Sequence, residues 1–193
     1  MRKGKLRRLL IRSVPMETAR LVLRNINASD ANDMYAYASR PEVTEYLLWD
    51  AHANISVTRG YIESVDRRYR RGLYGDWAVV LKETGRMIGT CGYANVDSQN
   101  MKCEIGYVLS PDYRGKGYMT EAVNAVLVLS FEKLGFESAE LRIMQGNSRS
   151  AALAERTGFT LERVCKDEIT VRDIPRTLMH YCLTKEQYFA KKV

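Results

Sequence analysis

Apolar positions follow two different periods along the chain. Leu21-Val22-Leu23, set between Arg20 and Arg24, predicts a first strand. Asn27-Ala28-Ser29-Asp30 offers helix caps, and a short helix is predicted over Ala31–Ala38, broken by Arg40-Pro41. Val57, Tyr61, Ile62, Val65 and Tyr69 recur at helical spacing and predict a helix over 56–71 that Gly72 closes. The period then drops to two. Strands are predicted over Trp77–Leu81, Met87–Tyr93 and Met101–Leu109, joined by Glu83-Thr84-Gly85 and by a turn over 96–100. This is an antiparallel meander. Asp97 lies midway between Cys91 and Cys103, so the two cysteines are expected to face each other across it.

The longest helix is predicted over Thr120–Leu134, with Ala122, Val123, Val126, Leu127, Ser130 and Leu134 as its inner stripe and Gly135 as its stop. A strand over Ala139–Met144 follows this crossover and is expected to run parallel to the strand before it. A helix over Asn147–Thr157, closed by Gly158, and strands over 161–169 and 178–183 complete the pattern. The fold class is α/β of the α+β type: a mixed, mostly antiparallel sheet with one central parallel pair and flanking helices.

Composition narrows the classes. The chain has 193 residues, 46% hydrophobic and 27% charged, which fits one globular domain and excludes disorder or low complexity throughout. The net charge of +7 suggests a nucleic-acid binder until its location is considered. Arg2, Lys3, Lys5, Arg7, Arg8 and Arg12 stand in the first 14 residues with no acid, which leaves +1 for the remainder. The basicity belongs to an arm, not to a domain-wide basic face. The reading is therefore a basic extension over 1–15 and a single domain over 16–193. No run of about 18 apolar residues predicts a membrane span. The arm lacks the apolar core of a secretory signal, so a cytoplasmic protein is expected. Cys91, Cys103, Cys165 and Cys182, with only His52 and His180, make no zinc spacing, so no metal is expected.

Pro111-Asp112-Tyr113-Arg114-Gly115-Lys116-Gly117-Tyr118-Met119-Thr120-Glu121-Ala122 joins a strand to a helix. Glycines there let backbone N–H groups approach a ligand, the helix adds its positive end, and Arg114 and Lys116 add full charges, a combination suited to pyrophosphate. It is neither a Walker loop, since Gly117 follows Lys116, nor a dinucleotide fingerprint, since Thr120 stands where a third glycine belongs.

Arg114-x-x-Gly117 after a strand resembles the acetyl-CoA signature of the GNAT superfamily of N-acetyltransferases, with Met119 in place of its last small residue. Three further stretches resemble the RimJ/RimL-type branch: Glu17-Thr18-Ala19-Arg20-Leu21-Val22-Leu23-Arg24, then Glu104-Ile105-Gly106-Tyr107 leading to Gly117-Tyr118-Met119-Thr120-Glu121-Ala122, then Asn147-Ser148-Arg149-Ser150 with Glu155-Arg156-Thr157-Gly158-Phe159. The likeness spans roughly residues 17–185. It implies a sheet splayed at its central parallel strands, with acetyl-CoA as cosubstrate in the opening. By that resemblance Tyr107, Val108 and Leu109 supply backbone to pantetheine. Arg114, Gly115, Lys116, Gly117, Tyr118 and Met119 hold the pyrophosphate, and Asn147 bonds the pantetheine arm. Glu104 is the general base, acting through water, and Ser150 the acid that protonates the leaving thiolate. A tyrosine takes the acid's place in sister families, and this chain has twelve. Tyr46, Trp49 and His52 fall in the segment that forms the acceptor wall.

Alternation along the strand puts Glu104 and Gly106 on one face and Cys103, Ile105 and Tyr107 on the other. Asn147 also reads as a plain helix N-cap. At neutral pH about one α-amine in ten is free, against about one lysine in a few thousand. A carboxylate working through water suits the α-amine, so the expected acceptor is a protein N-terminus. The alternatives are a small amine such as a polyamine or antibiotic, or a non-catalytic CoA-binding protein whose arm contacts ribosomal or other RNA. Oligomeric state is not legible.

Overall fold

The computed structural model describes residues 15–71, 73 and 75–191. The arm and Gly72 lie outside the described residues, apart from Pro15. Eight strands form one sheet in the order β1-β2-β3-β4-β5-β6-β8-β7. They are β1 (Met16–Glu17), β2 (Leu21–Asn25), β3 (Asp76–Leu81), β4 (Met87–Asp97), β5 (Lys102–Leu109), β6 (Ser138–Met144), β7 (Thr160–Val171) and β8 (Ile174–Thr184). The helices are α1 (Ala31–Ala38), α2 (Pro41–Thr44), α3 (Ile55–Arg70), α4 (Tyr118–Val128), α5 (Ser148–Thr157) and α6 (Lys185–Ala190). Among the described residues, no helix is long and apolar enough to cross a membrane.

β3 reads Asp-Trp-Ala-Val-Val-Leu, a nearly continuous apolar run, because helices cover both its faces. Trp77, Val79 and Leu81 pack with α4 residues Met119, Ala122, Val123, Val126 and Leu127. Ala78 and Val80 pack with α1 and α3 through Met34, Tyr37, Ile62 and Val65. Arg24 fixes the start of α1: its guanidinium holds Asp30 through two bonds of 2.8 and 2.7 Å, and Asn27 and Asp30 form a capping box.

The parallel pairing of β5 with β6 is present and brief. It joins only Lys102 to Ser138, Cys103 to Ala139 and Glu104 to Glu140. β5 stays paired with β4 as far as Leu109, and β6 with β8 as far as Met144. The two central strands therefore part after Glu104, leaving one edge of each unpaired. β4 carries a register shift at this point, with Tyr93 opposite Ile105 and Asn95 opposite Glu104, so Ala94 is an extra residue. Such a bulge bends the strand and raises its twist.

Several expectations change. The longest helix is α3, with 16 residues, since α4 ends at Val128 and continues as a wider turn over Leu129–Lys133. The predicted stripe of that segment is nonetheless buried. There the Ser130 hydroxyl bonds Val126 O and the Tyr93 hydroxyl. Val57 is 46% exposed, and the inner face of α3 begins at Thr58. β4 continues to Asp97, which accepts from Gln99 N and Asn100 N, so the turn falls later than predicted. Cys91 is paired with Tyr107, and Cys103 with Val96. The shifted turn and the bulge together move the cysteines out of register, and both are free. β1 and α6 carried no periodic signal.

Gly89 lies opposite Leu109, and a Cβ there would fall 2.1 Å from Val108 O. Backbone cannot yield as a side-chain end does. Gly89→Ala is expected to cost about 1–3 kcal/mol of stability, read as a lowered urea midpoint; an unchanged midpoint would show that the β4–β5 ladder relaxes freely.

Candidate active site

The parted strands open two connected spaces. One, of about 950 Å3, lies between the α2 region, the Arg114–Thr120 loop and α5. The other, of about 440 Å3, lies beneath α1 and α3. Tyr107, Val108, Tyr46, Asn147 and Ser150 line both, so they stand where the two meet.

The loop is built on left-handed backbone. Gly115 has φ +74° and Gly117 φ +77°, and Gly117 is the N-cap of α4. The first helical bond is from Glu121 N–H to Gly117 O, so the preceding N–H groups have no helical acceptor. Met119 is 4% exposed and packs into the core, and it is also among the residues that line the larger space. Arg114, Gly115, Gly117, Tyr118 and Leu109 line the larger space, whereas the Lys116 side chain does not; its ammonium stands 5.7 Å from the Tyr113 ring. Two arginines that sequence reasoning missed, Arg149 and Arg156, are on the rim with Arg114. Burial, and then the like charge of Arg149, lower the Arg114 pKa, which marks a place suited to an anion.

The first-strand motif explains itself here. Arg20 donates to Glu121 Oε2 at 2.7 Å and to Lys116 O at 2.9 Å, and lies 4.5 Å from the Tyr118 ring centroid. Its backbone N–H and the Thr18 hydroxyl donate to Glu121 Oε1 at 2.8 and 2.5 Å. Glu121, though its neighbourhood desolvates it, is held below the usual carboxylate range by Thr18 and Arg20. The residues that make Thr-x-Arg and Gly-x-x-x-Glu resemble a family are thus two halves of one clasp.

Glu104 takes the face predicted for it and lines the smaller cavity. Arg142 Nε donates to its Oε1 at 2.9 Å, a partner the sequence did not reveal, because strand pairing alone brings β6 beside β5. Asn147 Oδ1 accepts from Ser150 N at 3.2 Å, so the cap reading of Asn147 holds, while its amide nitrogen remains to donate. The Tyr107 hydroxyl is buried without a hydrogen-bond partner among the described residues. Burial pushes its pKa up to about 12, an effect the facing Ser150 only partly offsets. This singles out Tyr107 from the tyrosines. Tyr46, Trp49 and His52 all line the smaller cavity. His52 Nδ1 lies 2.8 Å from Thr58 Oγ1, and burial lowers its pKa, which keeps it neutral at pH 7.

Away from the cleft, Cys165, Glu168 and His180 bring their ligand-type atoms within 4.8 Å of one another on the β7–β8 pair. The register shift between Cys165 and Ile169 assembles them, which linear spacing cannot show. They already satisfy one another and Arg163: His180 Nε2 lies 2.5 Å from Glu168, and Arg163 Nη2 lies 3.0 Å from Nδ1.

A sheet parted at its parallel pair, with a glycine loop opening a helix beside the gap, defines an acyl-CoA-type transferase fold. Residues 20–160 match the acetyltransferase (GNAT) domain family, and the chain belongs to that family of N-acetyltransferases. It is 30% identical over 171 residues to the uncharacterized N-acetyltransferase p20 of Bacillus licheniformis, covering 89% of this chain and 96% of that one. It is 32% identical over 126 residues to the putative ribosomal N-acetyltransferase YdaF of Bacillus subtilis, covering 65% and 68% of the two chains. The solved RimL structure, a ribosomal L7/L12 alpha-N-protein acetyltransferase, superposes with a TM-score of 0.78 at 19% identity, covering 89% of this chain and 93% of that one. These likenesses agree with the RimJ/RimL-type motifs.

Gly117→Asp places a side chain on left-handed backbone and a negative charge at the helix start. Calorimetry should find acetyl-CoA binding weakened about ten-fold or more in the folded variant; unchanged affinity would put the pyrophosphate elsewhere.

Proposed function

We propose that this N-acetyltransferase moves the acetyl group of acetyl-CoA to a primary amine by direct attack, and that the amine is the α-amine of a protein N-terminus. The observation that carries this is the position of Glu104. It is the last paired residue before β5 and β6 part, and its carboxylate lines the cavity that opens beside the unpaired edge. The free edge over Tyr107–Leu109 offers backbone to pantetheine amides as a further strand would. The N–H groups of 115–119, with Arg114, Arg149 and Arg156, offer an anion site for the pyrophosphate. Residues fit for both ends of acetyl-CoA therefore flank the point where Asn147, Ser150 and Tyr107 meet the acceptor cavity.

In this reading Arg142 fixes Glu104, and Glu104 takes the ammonium proton through water. Backbone donors of the opened strand polarise the thioester carbonyl; one such donor is typically worth about 10²–10³ in rate. Ser150 or Tyr107 protonates the departing thiolate. Tyr107 is supported by its unpartnered hydroxyl, and Ser150 by its place beside it. No acyl-enzyme is involved: Cys91, Cys103 and Cys182 are buried, and the half-buried Cys165 sits beside Glu168 and His180, none of the four lining either space. An idle CoA-binding protein would not need Glu104, Asn147 and Ser150 in one cleft. The aromatic inner end of the acceptor cavity favours a second reading, a compact small amine.

Glu104→Gln keeps the shape and removes the base. A general base is worth about 10²–10⁴, so kcat/KM should fall most at low pH, where the amine is protonated, and recover toward the parent above its pKa of about 8. Tyr107→Phe and Ser150→Ala are assayed in parallel, and the acid is the one whose loss high pH does not rescue. A Glu104→Gln profile parallel to the parent at every pH would remove Glu104 from the mechanism.

A further inference from the structure

The acceptor cavity does not end at Glu104. It runs under α1 and α3 to Asp76, the first residue of β3. Asp76 is paired with Gly92, and Gly92 with Gly106, so the floor between Asp76 and β5 carries no side chain. Gly92 admits none, since a Cβ there would lie 2.3 Å from Gly75 O and 2.6 Å from Asp76 Cα.

The surroundings of Asp76 suit a cation. Tyr61 Oη donates to Oδ2 at 2.6 Å, the one side-chain bond to this carboxylate among the described residues. Burial raises the Asp76 pKa, while the Tyr61 hydrogen bond and the charge of Arg68 pull it down, so a cation seated beside the group would favour its carboxylate form. A carboxylate accepts several bonds, so acceptor capacity remains. Aromatic rings form the wall: Trp49 and His52 centroids are 5.1 Å apart, and His52 and Tyr61 6.4 Å. Their faces attract cations. With His52 neutral, the ionisable groups lining the cavity are Asp76 and Glu104 against Arg142, a net negative charge once a bound cation holds Asp76 ionised.

We propose that Asp76 is a specificity-determining anchor for a second cationic group on the acceptor, held about 6–8 Å from the amine that is acetylated; this rests on the amine-transfer reading above. The span follows from two strand spacings, about 10 Å from Gly106, less one hydrogen-bonded contact of about 3 Å. A short aliphatic diamine has this separation, and so does a chain that begins with lysine. Neutral acceptors of the same length leave the carboxylate unpaired.

The test compares kcat/KM for 1,4-diaminobutane against butylamine, and for a peptide beginning with lysine against one beginning with norleucine, in the full chain and in Asp76→Asn. A preference of about ten-fold or more for the dicationic partner, expressed in KM and collapsing toward one in the variant, supports the anchor. The pair that shows it tells a free diamine from a protein terminus. No preference in the parent, a preference that survives in Asp76→Asn, or equal losses for both members of a pair would overturn it. If no amine is acetylated, the transfer reading fails, and calorimetry on the CoA-loaded protein tests the anchor by itself. Diamine binding well above butylamine supports it, and equal or absent binding overturns it. This comparison needs only the parent protein, so a variant that fails to fold does not spoil it.

Discussion

Beyond Glu104 and Glu140 two parallel strands stop bonding to each other while each remains bonded to its outer neighbour. Everything that concerns function depends on that. A buried backbone group without a partner is costly, so the gap in the middle of the sheet is stable only as a place where water or an extended ligand completes the ladder. The Ala94 bulge supplies the local twist at this level. The outer pairings, β6 with β8 and β4 with β5 on both sides of the bulge, stop the split from spreading.

The second requirement is that the loop beside the split be rigid. Left-handed glycines make it possible but do not hold it. It is held from the other end of the chain, by Thr18 and Arg20 on Glu121 and Lys116 O. The electrostatics divide accordingly. Arg114, Arg149 and Arg156 outnumber Glu42 and Glu45 around the larger space, and Asp76 and Glu104 outnumber Arg142 around the smaller one. A polyanionic donor and a cationic acceptor are thereby offered opposite sides of one opening.

Much of this was legible before any coordinates. Apolar periodicity gave the meander, the crossover and the parallel pair, since burial follows those periods directly. Glu104, Asn147 and the glycine loop were picked out as candidates through local spacing and family likeness, and the fold brings them to one opening. What escaped depends on pairings distant in sequence. Arg142 reaches Glu104 only because β6 lies beside β5. Asp76 lay just outside the predicted Trp77–Leu81 strand and drew no reading, and its carboxylate acquires meaning only with Gly92, Gly106 and Tyr61 around it. The cysteine pairing failed because a bulge and a late turn are one-residue events that symmetry about Asp97 cannot show. Tyr107 stood among twelve tyrosines until burial distinguished it.

The central claim is that the opening between β5 and β6 is the acetyl-CoA site. A crystal structure of the protein with a non-hydrolysable acetyl-CoA analogue tests it most directly. The account predicts pantetheine amides paired with the backbone of Tyr107–Leu109, the pyrophosphate on the N–H groups of 115–119, and the acyl carbon facing the cavity that holds Glu104. An analogue bound elsewhere, or strands β5 and β6 paired through to Leu109 and Met144, would contradict it.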